Sequence, residues 1–192
     1  MVTWNCNGAL RNKTKRLDSL NSDVYVVQEC EDPSLSTDAF KIWSAAYLWI
    51  GTSKHKGLGV FPKNGNSIRP VKKYLQIHKF QLRRNKIVLL GDFNSNRRWD
   101  QPDHWWNHSD VIEELAAIGL QSVCHRQINE HQGQESTLTF FLQRNLSKAY
   151  HIDYVFASDN ILQRCKLEVD QSGEWLSISD HMPVTLDILK EL

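Results

Sequence analysis

Side chains that could bind a cation or move a proton recur at the ends of the short apolar runs of this sequence. They lie after VTW (Asn5, Asn7), after VYVV (Gln28, Glu29), after IVLLG (Asp92, Asn94), around IDYVF (His151, Asp153) and before MPV (Asp180, His181). Each one alone is better explained by a turn, a helix cap or a solvated strand end. Five such places predict one shared cleft, because the ends of adjacent strands meet at one rim of a sheet.

The residue types in this set indicate a particular chemistry. Without an excess of neighbouring lysines, clustered carboxylates repel one another, and their pKa values rise unless a divalent cation lies among them. Ligand sets made of oxygen atoms suit Mg²⁺ or Mn²⁺. The asparagines offer contacts to a phosphate oxygen or an attacking water, and His181 offers a proton near neutral pH.

Alternating strand and helix patterns must position these residues. The sequence predicts strands over residues 2–6, 24–29, 46–51, 57–62, 86–90, 136–142, 150–158 and 182–189. It predicts helices over 10–20, over 71–82 with Tyr74 in the core, and over a segment capped by Ser109 and ended by Gly119. This layout predicts one mixed α/β domain over residues 1–192, with its helices on the outside.

The bulk composition is that of an ordinary globular chain, with a net charge of +1 and four cysteines in no CxxC pair. No apolar run approaches the roughly 18 residues of a membrane helix and no secretion leader is visible, so we expect a cytoplasmic protein without a membrane partner. Residues 39–91 contain no acid but eleven lysines and arginines. This stretch predicts a face for a polyanion, or a solvated face balanced by acids elsewhere.

Five motifs carry a resemblance to a known family. TWNCNGALR, VVQEC, GDFNS, HIDYVFAS and ISDHMPV follow one another between residues 3 and 184. In wording and order they resemble the endonuclease/exonuclease/phosphatase superfamily of metal-dependent phosphoesterases, which includes exonuclease III-like and DNase I-like nucleases. The resemblance implies an α/β fold, a four-layer α/β/β/α sandwich of two mixed β-sheets.

The same resemblance implies a cation site for Mg²⁺ or Mn²⁺. Glu29 matches the main metal ligand of the family, and Asn7 and Asp180 match further or water-mediated ligands. Asn5 matches the amide that helps to order the site and to contact the substrate phosphate.

The resemblance also implies catalytic roles in an attack of water on phosphorus. Asp92 matches the carboxylate that orients or deprotonates the water, and Asn94 matches its partner that holds the phosphate. His181 would contact the scissile phosphate while Asp153 holds the other side of its ring. Which group is the formal acid stays open.

One part of the family pattern is missing between Val60 and Asp92, where only a turn-rich piece and one predicted helix fit. The resemblance therefore implies a DNase I-like fold that is incomplete in one sheet. Trp99, Trp105 and Trp106 follow GDFNS and either stack on a base or sugar or pack in the core. The basic stretch and this aromatic cluster favour a nuclease for DNA or RNA over a lipid or inositol phosphatase. A non-catalytic descendant that binds nucleic acid or a protein is the alternative, and the sequence predicts no oligomeric state.

Overall fold

The computed structural model describes residues 1–63, 86–102 and 107–189 of the chain. Its strands are β1 (Val2–Asn5), β2 (Val24–Cys30), β3 (Leu48–Ser53), β4 (Lys56–Pro62), β5 (Val88–Asp92), β6 (Leu120–Ser122), β7 (Phe140–Phe141), β8 (Ala149–Tyr150), β9 (Asp153–Ser158), β10 (Cys165–Val169) and β11 (Val184–Ile188). Its α-helices are α1 (Thr14–Asp18), α2 (Asp38–Ser44), α3 (His108–Ala117), α4 (Val123–Ile128), α5 (Asp159–Leu162) and α6 (Ser172–Trp175). Short 3₁₀ turns cover Leu10–Asn12, Pro33–Leu35, Arg97–Trp99 and Leu142–Arg144.

The larger sheet is mixed and has the strand order β10-β11-β1-β2-β4-β3. Strands β1 and β2 run parallel, and the other neighbours are antiparallel. Because side chains alternate along a strand, Val2 and Trp4 of β1 point to one face while Thr3 and Asn5 point to the other. The first face is apolar, and the second carries the polar ends that reach the rim.

The smaller sheet has the order β5-β9-β6, and its described pairs are antiparallel. Asp92, the last residue of β5, lies opposite Asp153, the first residue of β9. A separate hairpin pairs β7 with β8, and Phe140 of β7 also forms an isolated bridge with His181. The pairing therefore brings three of the five motifs to one end of the structure.

Three apolar clusters separate four layers. The first packs Trp4 and Tyr25 of the larger sheet against Leu17 of α1 and Phe40 of α2. The second lies between the sheets and joins Val155 and Ala157 of β9 to Val184 and Leu186 of β11. In the third, Tyr154 and Phe156 on the other face of β9 pack against Ile112 and Leu115 of α3. Full burial of one such large side chain contributes about 1.5–3 kcal/mol to the free energy of folding. The order helix, sheet, sheet, helix confirms the predicted four-layer sandwich.

Two element boundaries differ from those predicted from the sequence. Strand β5 continues through Gly91 to Asp92 instead of ending at the glycine. Helix α3 begins at His108 behind the N-cap Asn107, so the predicted cap at Ser109 is wrong. The Asp100 carboxylate accepts from the N–H groups of His108 and Ser109 and from the Ser109 hydroxyl, which draws Ser109 into the first turn.

Two further predictions were too long. Of the strand predicted over residues 136–142, only Phe140–Phe141 forms one. The helix predicted over 10–20 is a 3₁₀ turn followed by the five-residue α1, and Leu10 and Leu17 are fully buried.

The helix predicted over 71–82, with Tyr74, lies outside the described residues, as does most of the interval between Val60 and Asp92 for which the sequence predicts a loss of family strands. Within the described part of the chain, no helix is both long enough and apolar enough to cross a membrane. A single domain over the whole chain stays a prediction.

Candidate active site

The polar strand ends converge at the rim between the two sheets. Asn5 ends β1, Asp92 ends β5, Asp153 begins β9, and His181 precedes β11 by three residues. Ligand atoms of Asp92, Asp153 and His181 all lie within 4.8 Å of one another. The structure thus brings together four of the predicted site residues on two sheets, because Asn5 also donates from Nδ2 to Asp92 Oδ2 over 3.0 Å.

Four contacts fix the position of His181. Its Nδ1 donates to Asp153 Oδ2 over 2.9 Å, and its ring packs against Phe140 with centroids 4.6 Å apart. Its backbone N–H donates to the Ser179 hydroxyl oxygen, and its carbonyl accepts from the Trp4 indole N–H. These contacts fix the orientation of the imidazole, so that Nε2 lies on the side of Asp92, 3.9 Å from Oδ2.

The Asp153–His181 pair is buried, and burial and pairing act on it in opposite directions. Burial raises the pKa of Asp153 above its ordinary value, although the hydrogen bond from His181 works against that rise. Burial alone would lower the pKa of His181, but the hydrogen bond to Asp153 and the charges of Asp153, Asp92 and Asp180 outweigh it, so the pKa of His181 is raised.

Three hydrogen bonds orient the carboxylate of Asp92. Asn94 donates from its backbone N–H to Oδ1 over 2.8 Å and from Nδ2 to Oδ2 over 3.1 Å, and Asn5 supplies the third bond. Asn94 is exposed and has a φ of 49°, in the left-handed region that asparagine tolerates better than most residues. The tight turn after β5 therefore places the Asn94 amide beside the Asp92 carboxylate.

Asn7 and Asp180 form a second polar pair at the same rim. Asn7 Nδ2 donates to Asp180 Oδ1 over 3.1 Å, and the Asn7 backbone N–H donates to Asn5 Oδ1 over 3.0 Å. Asn7, Gly8 and Ala9 all have positive φ, between 51° and 74°. The chain turns sharply there, which is how two asparagines two residues apart both reach the site.

Glu29 lies in an irregularity of β2. The register of β2 against β4 shifts between Val27 and Cys30, and Glu29 has a φ of 56°. A bulge of this kind re-aims a side chain and is common beside active sites. Glu29 Oε2 accepts a hydrogen bond from Lys56 Nζ over 2.7 Å, so a lysine does neighbour the predicted acids.

The structure contains one compact group of possible cation ligands, and the resemblance implies a different set. Among the described residues, Asp92, Asp153 and His181 form the group of acids and histidines compact enough to hold one, and Glu29 is outside that group. The atoms Asp153 Oδ2 and His181 Nδ1, however, already share a hydrogen bond in that group. Glu29, Asn7 and Asp180, which the resemblance assigns to the cation, carry oxygen donors on exposed or partly exposed side chains, where a cation could keep several of its waters, as Mg²⁺ usually does.

A buried polar network lies beneath the site, and sequence patterns did not indicate most of its members. Asn96 Nδ2 donates to the His151 carbonyl over 2.9 Å and to Glu135 Oε2 over 3.2 Å. The Tyr154 hydroxyl donates to the same carbonyl over 2.9 Å. His125 Nε2 contacts Glu135 Oε1 at 3.1 Å. The network ties the segment after Asp92 to the segment before Asp153.

His151 and Thr139 have structural positions that sequence patterns did not indicate. His151, expected at the rim, is 1% exposed and donates from Nδ1 to the carbonyl of Thr137. The Thr139 hydroxyl oxygen accepts from the backbone N–H groups of Ile152 and Asp153, both over 3.0 Å. A threonine inside an apolar stretch carries no signal for such a role, because only the folded hairpin brings it to β9.

The aromatic residues after GDFNS are only partly described. The side chain of Trp99 is 44% exposed, and its ring lies 5.1 Å from that of Tyr150. Trp105 and Trp106 lie outside the described residues.

Comparison with known proteins agrees with this architecture. A 3′ phosphatase from Neisseria solved with a product DNA hairpin superposes with a TM-score of 0.71 at 18% identity, covering 98% of both chains. A 3′-5′ exonuclease from Neisseria meningitidis gives 0.68 at 19% identity, over 97% of this chain and 98% of that one. An AP endonuclease from Archaeoglobus fulgidus gives 0.66 at 16% identity, over 97% and 98%. At such identities these likenesses show the shared fold.

The sequence comparison identifies the family. No curated protein matches the chain. The sequence pattern of the Endonuclease/Exonuclease/phosphatase family matches residues 2–181, nearly the whole chain, and includes all five motifs up to His181. The chain therefore belongs to the Endonuclease/Exonuclease/phosphatase family, whose members hydrolyse phosphoester bonds.

Proposed function

We propose that this chain is a nuclease that hydrolyses phosphodiester bonds of DNA or RNA and depends on Mg²⁺ or Mn²⁺. Phosphoester hydrolysis follows from the family. The observation that carries the finer proposal is the group of Asp92, Asp153 and His181, within 4.8 Å of one another at the rim between the sheets. Such a group can orient a water molecule on one side of a phosphate and offer a hydrogen bond to it from the other.

In this proposal Asp92 orients the attacking water and accepts its proton. Its carboxylate is suited to that role because three hydrogen bonds from Asn5 and Asn94 hold it in one orientation. Asn94, exposed beside it, would contact the phosphate. Preorganised donors of this kind stabilise charge that develops in the transition state without having to reorient.

His181 would stabilise negative charge on the phosphate. Asp153 accepts from Nδ1, so the opposite nitrogen, Nε2, is the one that can reach a substrate oxygen. Asp153 acts as a positioning residue in this scheme, because it contacts the imidazole and not the phosphate.

The cation would be held by Glu29, with Asn7 and Asp180 as further or water-mediated ligands. When bound, a divalent cation polarises a phosphoryl oxygen and steadies the leaving group. The hydrogen bond from Asn7 to Asp180 supports this assignment, since it keeps both side chains at the rim before any cation arrives.

A nucleic-acid substrate is supported by charge and by aromatic exposure near the site. Arg97 and Arg98 are exposed directly after the GDFNS turn, beside the partly exposed Trp99. Positive charge next to an aromatic face suits a phosphodiester backbone and its bases. The related Neisseria 3′ phosphatase was solved with a DNA hairpin.

The test is hydrolysis of a generic phosphodiester, bis(4-nitrophenyl) phosphate, and of fluorescent DNA and RNA oligonucleotides with and without Mg²⁺ or Mn²⁺. We expect cation-dependent cleavage that falls about 10²–10⁴-fold in Asp92→Asn and in His181→Asn, since each removes a group that acts on the proton or on the charge. His131→Asn, at an exposed position, is the matched control and should keep wild-type activity.

The outcomes separate the competing functions. Oligonucleotide binding without any cleavage would support the non-catalytic descendant. Cleavage that is indifferent to both substitutions, or that persists after removal of divalent cations, would contradict the proposal.

A further inference from the structure

Lys56 occupies the carboxylate to which the cation is assigned. Its Nζ lies 2.7 Å from Glu29 Oε2. We propose that Lys56 is a built-in competitor for the divalent cation, which must displace the Lys56 ammonium from Glu29 in order to bind. This inference rests on the proposed function, because it takes Glu29 to be a ligand of the cation.

The backbone places Lys56 at Glu29. Lys56 is the first residue of β4, and the next residue, Gly57, pairs with Cys30, the residue after Glu29. The bulge in β2 therefore ends at the point where β4 begins. The two side chains meet because their strands are paired, so the contact does not depend on a chance fold of a long flexible arm.

The hairpin that carries Lys56 is braced by Trp49. The Trp49 indole N–H donates to the carbonyl of Cys30 over 3.2 Å. A Cβ added at Gly51 or at Gly57 would lie 2.5 Å from the indole ring, so the ring lies directly over both glycines. Only glycine leaves room for this packing, and the packing holds β3 and β4 against the end of β2.

The charges around Lys56 match those that a cation would meet. The ammonium interacts with Glu29 through the hydrogen bond and also feels the charge of Asp180 at longer range. Glu29 and Asp180 are the two carboxylates of the proposed cation site, and the ammonium contacts the first of them directly. Lys56 thereby reduces the repulsion that the clustered acids would otherwise have without a cation.

The contact is exposed enough to exchange. The side chain of Lys56 is 61% exposed and that of Glu29 is 35% exposed. Ion pairs in such surroundings are weak and are screened by salt. A lysine held this loosely lowers the affinity for a cation without blocking the site, and it can leave while remaining attached to a rigid hairpin.

The test measures binding of Mn²⁺ alone by isothermal titration calorimetry, so that no turnover is needed. Lys56→Met removes the ammonium and keeps the length of the side chain, and we expect it to bind Mn²⁺ about two- to fivefold more tightly than the wild type. Lys56→Arg keeps the charge and should give no such gain. Lys54→Met removes the same charge from an exposed position on the same hairpin and is the matched control.

The gain in Lys56→Met should also shrink as the salt concentration rises, because salt screens the pair that is being removed. Equal or weaker Mn²⁺ binding in Lys56→Met would overturn the inference, as would an equal gain in Lys54→Met. Glu29→Gln separates this failure from failure of the proposed function. If Glu29→Gln binds Mn²⁺ as well as the wild type does, Glu29 is not a ligand, and the assigned cation site falls together with the inference.

Discussion

We expect the ionised carboxylate of Glu135, in the buried network beneath the site, to contribute several kcal/mol to the stability of the fold. Glu135 has a side chain that is 1% exposed, and it accepts from Gly133 N–H over 2.7 Å, from Asn96 Nδ2 over 3.2 Å and from His125 Nε2 over 3.1 Å. Burial alone would raise the pKa of Glu135, but these hydrogen bonds bring it down from 4.5 to about 2. A shift of that size corresponds to about 3 kcal/mol of stability.

The perturbation is Glu135→Gln, which keeps the shape of the side chain but removes its charge and places an amide NH2 donor opposite at least one N–H donor. We expect it to lower the free energy of unfolding by about 2–3 kcal/mol at pH 7. The folded-state pKa is depressed, so the contribution is complete above the unfolded value of 4.5 and is lost as the pH falls toward about 2. At pH 3 the difference between variant and wild type should therefore shrink to about 1.4 kcal/mol or less.

Urea unfolding followed by tryptophan fluorescence at pH 7, 5 and 3 measures this difference directly. Glu113→Gln, at an exposed position on α3, is the matched control and should change stability by less than about 0.5 kcal/mol. A Glu135→Gln deficit below about 0.5 kcal/mol at pH 7, or one of equal size at pH 7 and pH 3, would refute the view that the ionised carboxylate holds the network together.

Two further substitutions test the rim itself. Asp153→Asn should lower kcat about 10²–10⁴-fold and leave KM nearly unchanged, because it removes the carboxylate charge that orients the His181 imidazole and stabilises its protonated form. Steady-state kinetics on a generic phosphodiester measures both constants, and a loss confined to KM would contradict the role. Gly91→Ala should lower the free energy of unfolding by about 1–3 kcal/mol, because Gly91 has a φ of 147°, which is strained for alanine. The loss would come from the backbone and not from a clash, since the added Cβ would meet only an ordinary 3.4 Å contact with Gln28. Unchanged urea stability in Gly91→Ala would mean that the backbone there relaxes without strain.

The ends of the apolar runs in the sequence predict which side chains of the candidate site lie close together. Asp92, Asp153 and His181 were each placed by an apolar run that stops beside them, and the antiparallel pairing of β5 with β9 then sets Asp92 opposite Asp153. The period of two along β1 similarly separates Trp4, which packs in the core, from Asn5, which reaches the rim. Predictions of this kind succeed because burial of one face and exposure of one end are properties of the local sequence.

The remaining features depend on contacts between distant segments. Lys56 lies 27 residues from Glu29, and nothing near either residue in the sequence indicates the register shift that joins them. Ser109 is a good capping residue, yet Asp100 draws it into the helix and leaves the cap to Asn107. Local preference was overridden in each case by a partner that only the folded chain supplies.

The Asp153–His181 pair and the Glu29–Lys56 pair differ in how many contacts hold them in place. Asp153 and His181 are buried at 2% and 5% exposure and are fixed by backbone and side-chain hydrogen bonds on several sides. Glu29 lies on a partly exposed bulge and contacts the largely exposed side chain of Lys56. In the proposed mechanism, positioning for the chemical step depends on these buried residues, whereas cation affinity depends on the hairpin that carries Lys56.

Substitutions in the buried network and at Lys56 should therefore affect different properties. Loosening the network through Glu135 should lower stability and turnover while leaving Mn²⁺ affinity close to that of the wild type, because the network contacts the segments of Asp92 and Asp153 and not β2. Removing the ammonium of Lys56 should change Mn²⁺ affinity and leave the free energy of unfolding unchanged, since an exposed pair contributes little to folding. A site whose catalytic geometry and cation affinity are set by separate contacts can change one property while it keeps the other.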